Sequence, residues 1–229
     1  NLELDIQEIA ESFMECSLTG ASKTQVIRAF KEDYDLNNEQ IEELLDFCSF
    51  KKKPKKINYL EFYKNATAVF CQSKLHSDTV QKNLNLHTVH NLGGNLWDLS
   101  SLDLLASISK KDKKNAVCIW NSPNPIKNTS KAVAYCTVKK IPYELVGGLP
   151  YEKFLQEMGK NNCFMFFPET METLCRVVVE ARMMNMKTIT NGILGATSED
   201  WFSLKGEELI DVMKEKRESI PKYIMETIK

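Results

Sequence analysis

Two acids and a base stand out by type and spacing. Glu172 and Glu180 are separated by seven residues in Pro168-Glu-Thr-Met-Glu172-Thr-Leu-Cys-Arg-Val-Val-Val-Glu180. On a helix, eight residues rise about 12 Å. Carboxylates that far apart cannot act as an acid–base pair on one bond, but they can grip two ends of an elongated ligand, with the helix start between them. A helix start offers unpaired N–H groups and partial positive charge, which suits a phosphate or diphosphate. Lys127 stands beside another such start, after the polar loop Asn121-Ser-Pro-Asn-Pro-Ile-Lys127. The neighbours of Glu180 are Val177, Val178, Val179 and Ala181, so this helix is apolar nearly all round. A carboxylate in such surroundings needs a partner or a function.

Those residues must be held by strands and helices in alternation. Short apolar runs at Ala66–Cys71, Thr88–Leu92, Ala116–Trp120, Tyr143–Val146, Cys163–Phe167 and Lys187–Thr190 read as strands. Between them, Ser73 caps a helix to about Leu84, and Ser100 or Ser101 opens one to about Ile108. A third carries Ala132, Val133, Tyr135 and Cys136, a fourth runs from Pro150 to Gly159, and a fifth starts near Thr173 and reaches Met184. The alternation predicts an α/β fold, a parallel sheet with crossover helices. A last amphipathic helix is expected over roughly 205–219, broken or kinked at Pro221. Gly93-Gly94-Asn95 reads as a turn or hinge.

Open parallel sheets bind ligands at the carboxyl ends of their strands. Four loops fall there: 121–129, 147–150, 168–175 and 191–196. The sequence has no GxGxxG, no GxxxxGK[ST] and no GxSxG. Those absences remove the dinucleotide-binding turn, the P-loop and the hydrolase elbow.

Charge divides the chain. Residues 1–50 hold twelve acids and three bases, whereas 51–229 hold 27 bases and 19 acids, so a net −9 faces a net +8 and the whole is −1. The acidic part reads as a small N-terminal helical segment, with Ile6, Ile9, Ala10 and Phe13 at helical spacing and a capping box at Ser22-Lys-Thr-Gln25. Asp33-Tyr-Asp35-Leu-Asn37 begins like a calcium loop, but Asn38 and Leu44 occupy the positions that need glycine and glutamate. Lys51-Lys-Lys-Pro-Lys-Lys56 is a linker or loop. The basic remainder suits an anionic ligand, a phosphorylated small molecule or a nucleic acid, unless its lysines simply solvate a surface.

The seven cysteines form no CxxC, several lie in apolar runs, and only three histidines exist. This argues for a reducing compartment, no disulfide framework and no structural zinc. With no apolar run long enough to span a membrane and no visible signal peptide, the expected location is cytoplasmic. The first residue is Asn1 rather than Met, as in a fragment, a processed form or a trimmed chain.

The segment Cys163–Asn191, a buried strand, a proline, E-x7-E and a second strand, resembles the donor site of retaining glycosyltransferases of family 4, which have the GT-B fold. Lys127 resembles that family's phosphate-binding lysine, and Ala66–Asn95 resembles the tail of its first domain. The resemblance covers about 66–215. It implies four segments: 1–56, an acidic helical segment and lysine linker; 57–95, the tail of a reduced acceptor-side domain; 96–204, a Rossmann-like nucleotide-sugar domain; and 205–229, C-terminal helices.

The same resemblance implies residue roles. Glu172 and Lys127 would be catalytic, Glu172 facing the donor sugar and Lys127 neutralising the leaving diphosphate. The backbone N–H groups of Thr173, Leu174 and Cys175 would approach the diphosphate, Glu180 the ribose, and Gly148 the base. Ser122 occupies the position where the family usually carries an arginine, and Arg176 is the candidate to compensate. Thr173 and Cys175 replace the usual glycines, and one strand–helix unit is missing between Val146 and Cys163. No metal or other cofactor is expected. The implied partners are a nucleotide-sugar donor, a hydroxyl acceptor on a glycan, lipid or protein, and a second chain or oligomer, with no nucleic acid. Two other functions fit parts of the sequence: a non-catalytic nucleotide-sugar binder or interaction protein on the same domain, and a basic nucleic-acid module, for which the interleaved aromatics are missing.

Overall fold

The computed structural model describes residues 59–229. The N-terminal helical segment, the calcium-like loop at 33–44 and the lysine run at 51–56 lie outside the described residues. The chain divides into two compact units, Asn1–Phe62 and Tyr63–Lys229. The short helix α1 (Tyr59–Lys64) leads into the second.

That unit holds two parallel sheets. The smaller pairs β1 (Val69–Cys71) with β2 (Val89–Asn91), joined by α2 (Lys74–Leu84). Ser73 caps α2 as expected, its side chain accepting from the His76 N–H. Val69, Cys71 and Leu86 form a small core with Val80 and Leu84. Helix α3 (Leu99–Ser109) then leads to the larger sheet. Its cap is Asp98 rather than Ser100 or Ser101, because the Asp98 carboxylate takes the Ser101 N–H at 2.7 Å and both serine hydroxyls. Those donors hold the Asp98 carboxyl far below the ordinary carboxylate range.

The larger sheet contains β3 (Lys114–Trp120), β4 (Tyr143–Val146), β5 (Asn161–Phe166) and β6 (Lys187–Thr190) in the order β4-β3-β5-β6, all parallel. Three helices join successive strands: α4 (Thr129–Lys139), α5 (Tyr151–Met158) and α6 (Arg176–Met183). The parallel α/β expectation therefore holds. Helix α5 runs directly between β4 and β5.

Strand β5 shows why its sequence is apolar without alternation. Phe164 and Phe166 enter a core with α3, α5 and α6, while Cys163 and Met165 enter a second core with Ala132 and Cys136 of α4. Both faces of the sheet are covered, so both faces of the strand are apolar. The final helix α7 (Gly206–Thr227) buries Leu209, Ile210 and Met213 in the first core. It does not break at Pro221 and runs on to Thr227, beyond the expected end near 219. Ile220 is buried and Tyr223 packs edge-on to Phe70, so tertiary contact on both sides of the proline offsets the lost backbone bond. Among the described residues no helix is long and apolar enough to cross a membrane.

Candidate functional site

The sheet order places β4 and β5 on opposite sides of β3. The chain leaves β3 in one direction and returns in the other, so the carboxyl ends of β3 and β5 form a topological switch point. A cavity of about 480 Å³ lies there, lined by Trp120 at the end of β3, Lys127, Gly148 and Leu149 beyond β4, Tyr151, and Glu172, Cys175, Arg176 and Glu180 beyond β5.

The loops after β3 and β5 are tied across this point. Thr129 donates its hydroxyl to the Trp120 carbonyl at 2.8 Å, closing the first loop on itself. The Glu169 N–H then donates to the Ile126 carbonyl at 2.9 Å. Next to that bond, Lys127 Nζ meets Glu172 Oε1 at 2.5 Å, the two side chains being 21% and 19% exposed. Lys127 also lies over the Trp120 ring, 5.6 Å from its centre. The predicted base and acid therefore meet directly.

Helix α6 begins later than expected, at Arg176. The residues before it are drawn into a parallel bridge between Glu172 and Leu194, with the Gly195 N–H on the Glu172 carbonyl and the Ala196 N–H on the Leu174 carbonyl. Cys175 makes the turn into the helix at φ 73°, a left-handed conformation that a non-glycine residue adopts at a cost. Helix α6 has no side-chain cap, and neither has α4, whose preceding residue Asn128 is also left-handed at φ 55°. The uncapped start of α6, with Cys175, Arg176 and Val177 in the wall, thus opens on the cavity, where its N–H groups favour an anion.

Glu180 is almost fully buried, its side chain 4% exposed, yet it lines the cavity. The partner that its apolar surroundings demanded is a pair of donors. Trp97 Nε1 donates to Oε1 at 3.0 Å and the Tyr151 hydroxyl donates to the same oxygen at 2.8 Å. Burial, followed by the Glu180 charge, pushes the Tyr151 phenol well above its ordinary value, so it remains a donor. Arg176 lies over Trp97, 4.9 Å from the ring centre, and 3.7 Å from Glu180 Oε1.

The other predicted residues divide. Gly148 lines the cavity at φ 67°, with open space where a side chain would begin. Cys175 also lines it, but burial pushes its thiol up to about 12, so it is no nucleophile at neutral pH. Ser122, Thr173 and Leu174 are not in the cavity wall. Ser122 shapes its loop, its N–H donating to the Trp120 carbonyl at 3.1 Å and its hydroxyl accepting from the Asn124 N–H at 3.2 Å. Leu174 is wholly buried in the core. Thr173 faces the small sheet, donating its hydroxyl to Gln72 at 2.8 Å while its carbonyl accepts from the Ser73 hydroxyl at 2.5 Å. Arg176, the candidate to compensate for Ser122, does line the cavity. Trp97, Tyr151, Trp120 and Phe154 escaped sequence reasoning as site residues.

The fold and cavity define a parallel α/β protein with a cleft at its switch point, carrying one lysine, one arginine, two glutamates and an aromatic wall. No family model matches the chain, and a search of curated proteins found no match. Among the described residues no cluster of His, Cys, Asp or Glu could hold a metal ion.

Proposed function

We propose that this chain is a nucleotide-sugar-dependent transferase of the retaining family 4 type, delivering a sugar to a hydroxyl acceptor. The observation that carries the proposal is the meeting of Lys127 and Glu172 at the switch point, from loops 45 residues apart, beside the uncapped start of α6. A diphosphate would lie against that helix start, with Lys127 and Arg176 as its cations. The reaction breaks the bond between the anomeric carbon and the diphosphate oxygen. It forms a new one to the acceptor oxygen, on the same face, and the acceptor proton leaves with the diphosphate. Lys127 stabilises the charge that develops on the leaving group, and Glu172 lies nearest the sugar. Glu180 accepts from a donor hydroxyl, and the aromatic wall of Trp120 and Phe154 supplies apolar area.

Calorimetric titration with uridine, guanosine and adenosine diphosphate sugars tests this. One of them is expected to bind, and the Glu172→Ala variant is expected to lose the slow hydrolysis of the bound donor. Absence of binding across the panel refutes the proposal. The ion pair itself favours a second function, a binder without transfer, because Lys127 and Glu172 already satisfy each other. Binding without hydrolysis in the native chain would select it.

A further inference from the structure

Every donor that reaches Glu180 converges on one oxygen. Trp97 Nε1, the Tyr151 hydroxyl and Arg176 Nε all address Oε1, at 3.0, 2.8 and 3.7 Å. Oε2 receives no protein hydrogen bond among the described residues, although the side chain is nearly buried and lines the cavity. A carboxylate oxygen has two lone pairs, and the indole and the protonated phenol can only donate to it here. Oε1 is thereby filled. Oε2 is left to a group that enters the cavity.

We propose that Trp97 is a positioning residue. Together with Tyr151 it fixes the rotamer of Glu180 so that Oε2 alone accepts a ligand hydroxyl. The proposal rests on the donor-site function above, in which that hydroxyl belongs to the ribose of a nucleoside diphosphate. Trp97 is suited to the task because it is itself buried and held at both ring and backbone. It is 1% exposed, its ring lies under Arg176, and its carbonyl accepts from Arg217 of α7 at 3.0 Å. A freely rotating Glu180 would spend its charge on solvent or on Arg176. Fixed by two donors, it has its acceptor aligned before the ligand arrives.

The experiment compares the native chain with Trp97→Phe, Tyr151→Phe and Glu180→Ala. Calorimetry first finds which of the uridine, guanosine and adenosine diphosphates binds, then measures its 2′-deoxy form. The native chain is expected to prefer the ribonucleotide by at least about tenfold, the lower end of the worth of one hydrogen bond to a charged group. Trp97→Phe keeps the aromatic packing and loses the donor. It should bring that preference close to the Glu180→Ala value while deoxynucleotide affinity stays within about twofold, since the lost interaction reaches only the hydroxyl. Tyr151→Phe should reduce the preference in part. A Trp97→Phe chain that keeps the native preference, or that loses both nucleotides equally, overturns the positioning role while leaving the donor site standing. A native chain that binds no nucleoside diphosphate overturns the donor site itself, and the positioning role with it. Should circular dichroism show Trp97→Phe unfolded, Tyr151→Phe, at a half-exposed residue, carries the same readout, and an unchanged preference there overturns the proposal.

Discussion

Neutralising an acid in an anion site is expected to strengthen it. Lys127 Nζ and Glu172 Oε1 are 2.5 Å apart, and both side chains are about four-fifths covered. An incoming phosphate must take Lys127 from Glu172. A hydrogen bond between charged groups contributes about 1.5–3 kcal/mol net. The Coulomb energy of a pair 4 Å apart near a protein surface sets an upper bound of about 4 kcal/mol. Glu172→Gln keeps an amide hydrogen bond of about 1 kcal/mol, so the gain for an entering anion is about 0.5–2 kcal/mol, a factor of roughly 2–30 in affinity. Calorimetry with inorganic pyrophosphate measures it directly. Glu172→Gln should bind more tightly than the native chain, and the difference should shrink as salt rises. Lys127→Met should bind poorly, and adding Glu172→Gln to it should restore little. Unchanged or weaker binding in Glu172→Gln would refute the competition between Glu172 and the ligand. A gain that survives in the Lys127→Met background would refute Lys127 as the prize.

Other perturbations test the scaffold. Phe164 is wholly buried and stacks on Phe166 at 6.2 Å, so Phe164→Ala should cost about 3–5 kcal/mol in urea unfolding; a loss below about 1 kcal/mol would contradict the packed core. Lys114 at 2.7 Å and Asn161 at 3.2 Å hold the Glu144 carboxyl below its ordinary value. Because the folded form is the more acidic, this stabilisation is present above the unfolded value of about 4.3 and is lost as pH falls through the folded one. Thermal melts should therefore separate Glu144→Gln from the native chain at neutral pH and converge as the pH falls through the folded value, and a gap that widens in acid would overturn the sign. Burial holds the Cys118 and Cys175 thiols up at about 12, so iodoacetamide at roughly pH 8 should label them only after unfolding. Native labelling at either, read by mass spectrometry, would show that the core opens.

The sheet was legible because its strands are punctuated. Tyr143–Val146 and Lys187–Thr190 match residue for residue, and Pro150 and Gly159 bracket α5 as read. What the local signal missed was decided at long range. Thr173 and Cys175 look like the first turn of a helix, yet the segment is captured by Leu194 and Gly195, some twenty residues on. At Pro221 a rule about the backbone was outweighed by contacts to β1 and β2 that no window on α7 contains. The site divides likewise. Glu172, Lys127 and Glu180 stood out by residue type and spacing. Trp97 lies 83 residues from Glu180 and Tyr151 lies 29, so periodicity could not join them. The available signal was indirect: a carboxylate in an apolar helix demands donors, and Trp and Tyr are the large side chains that bring one with them.

The last helix acts as a splint. At 22 residues it is about 33 Å long, embedded at one end beneath the larger sheet and resting Tyr223 against His90 of the smaller at the other. Lys216, midway, donates to the Leu92 carbonyl and passes so close to Gly94 that a side chain there would press on it. Trp201 binds the Gly93 carbonyl, and Glu199 holds the exposed start of α2 at 2.6 Å. The paired glycines, which in isolation would be the slackest point of the chain, are clamped on both sides. A ligand entering the cleft would then be met by side-chain movement within it rather than by one sheet swinging over the other. Such a pocket is set before it is filled. It loses little disorder on binding, and it gains selectivity from shape at the expense of the range of ligands it can admit.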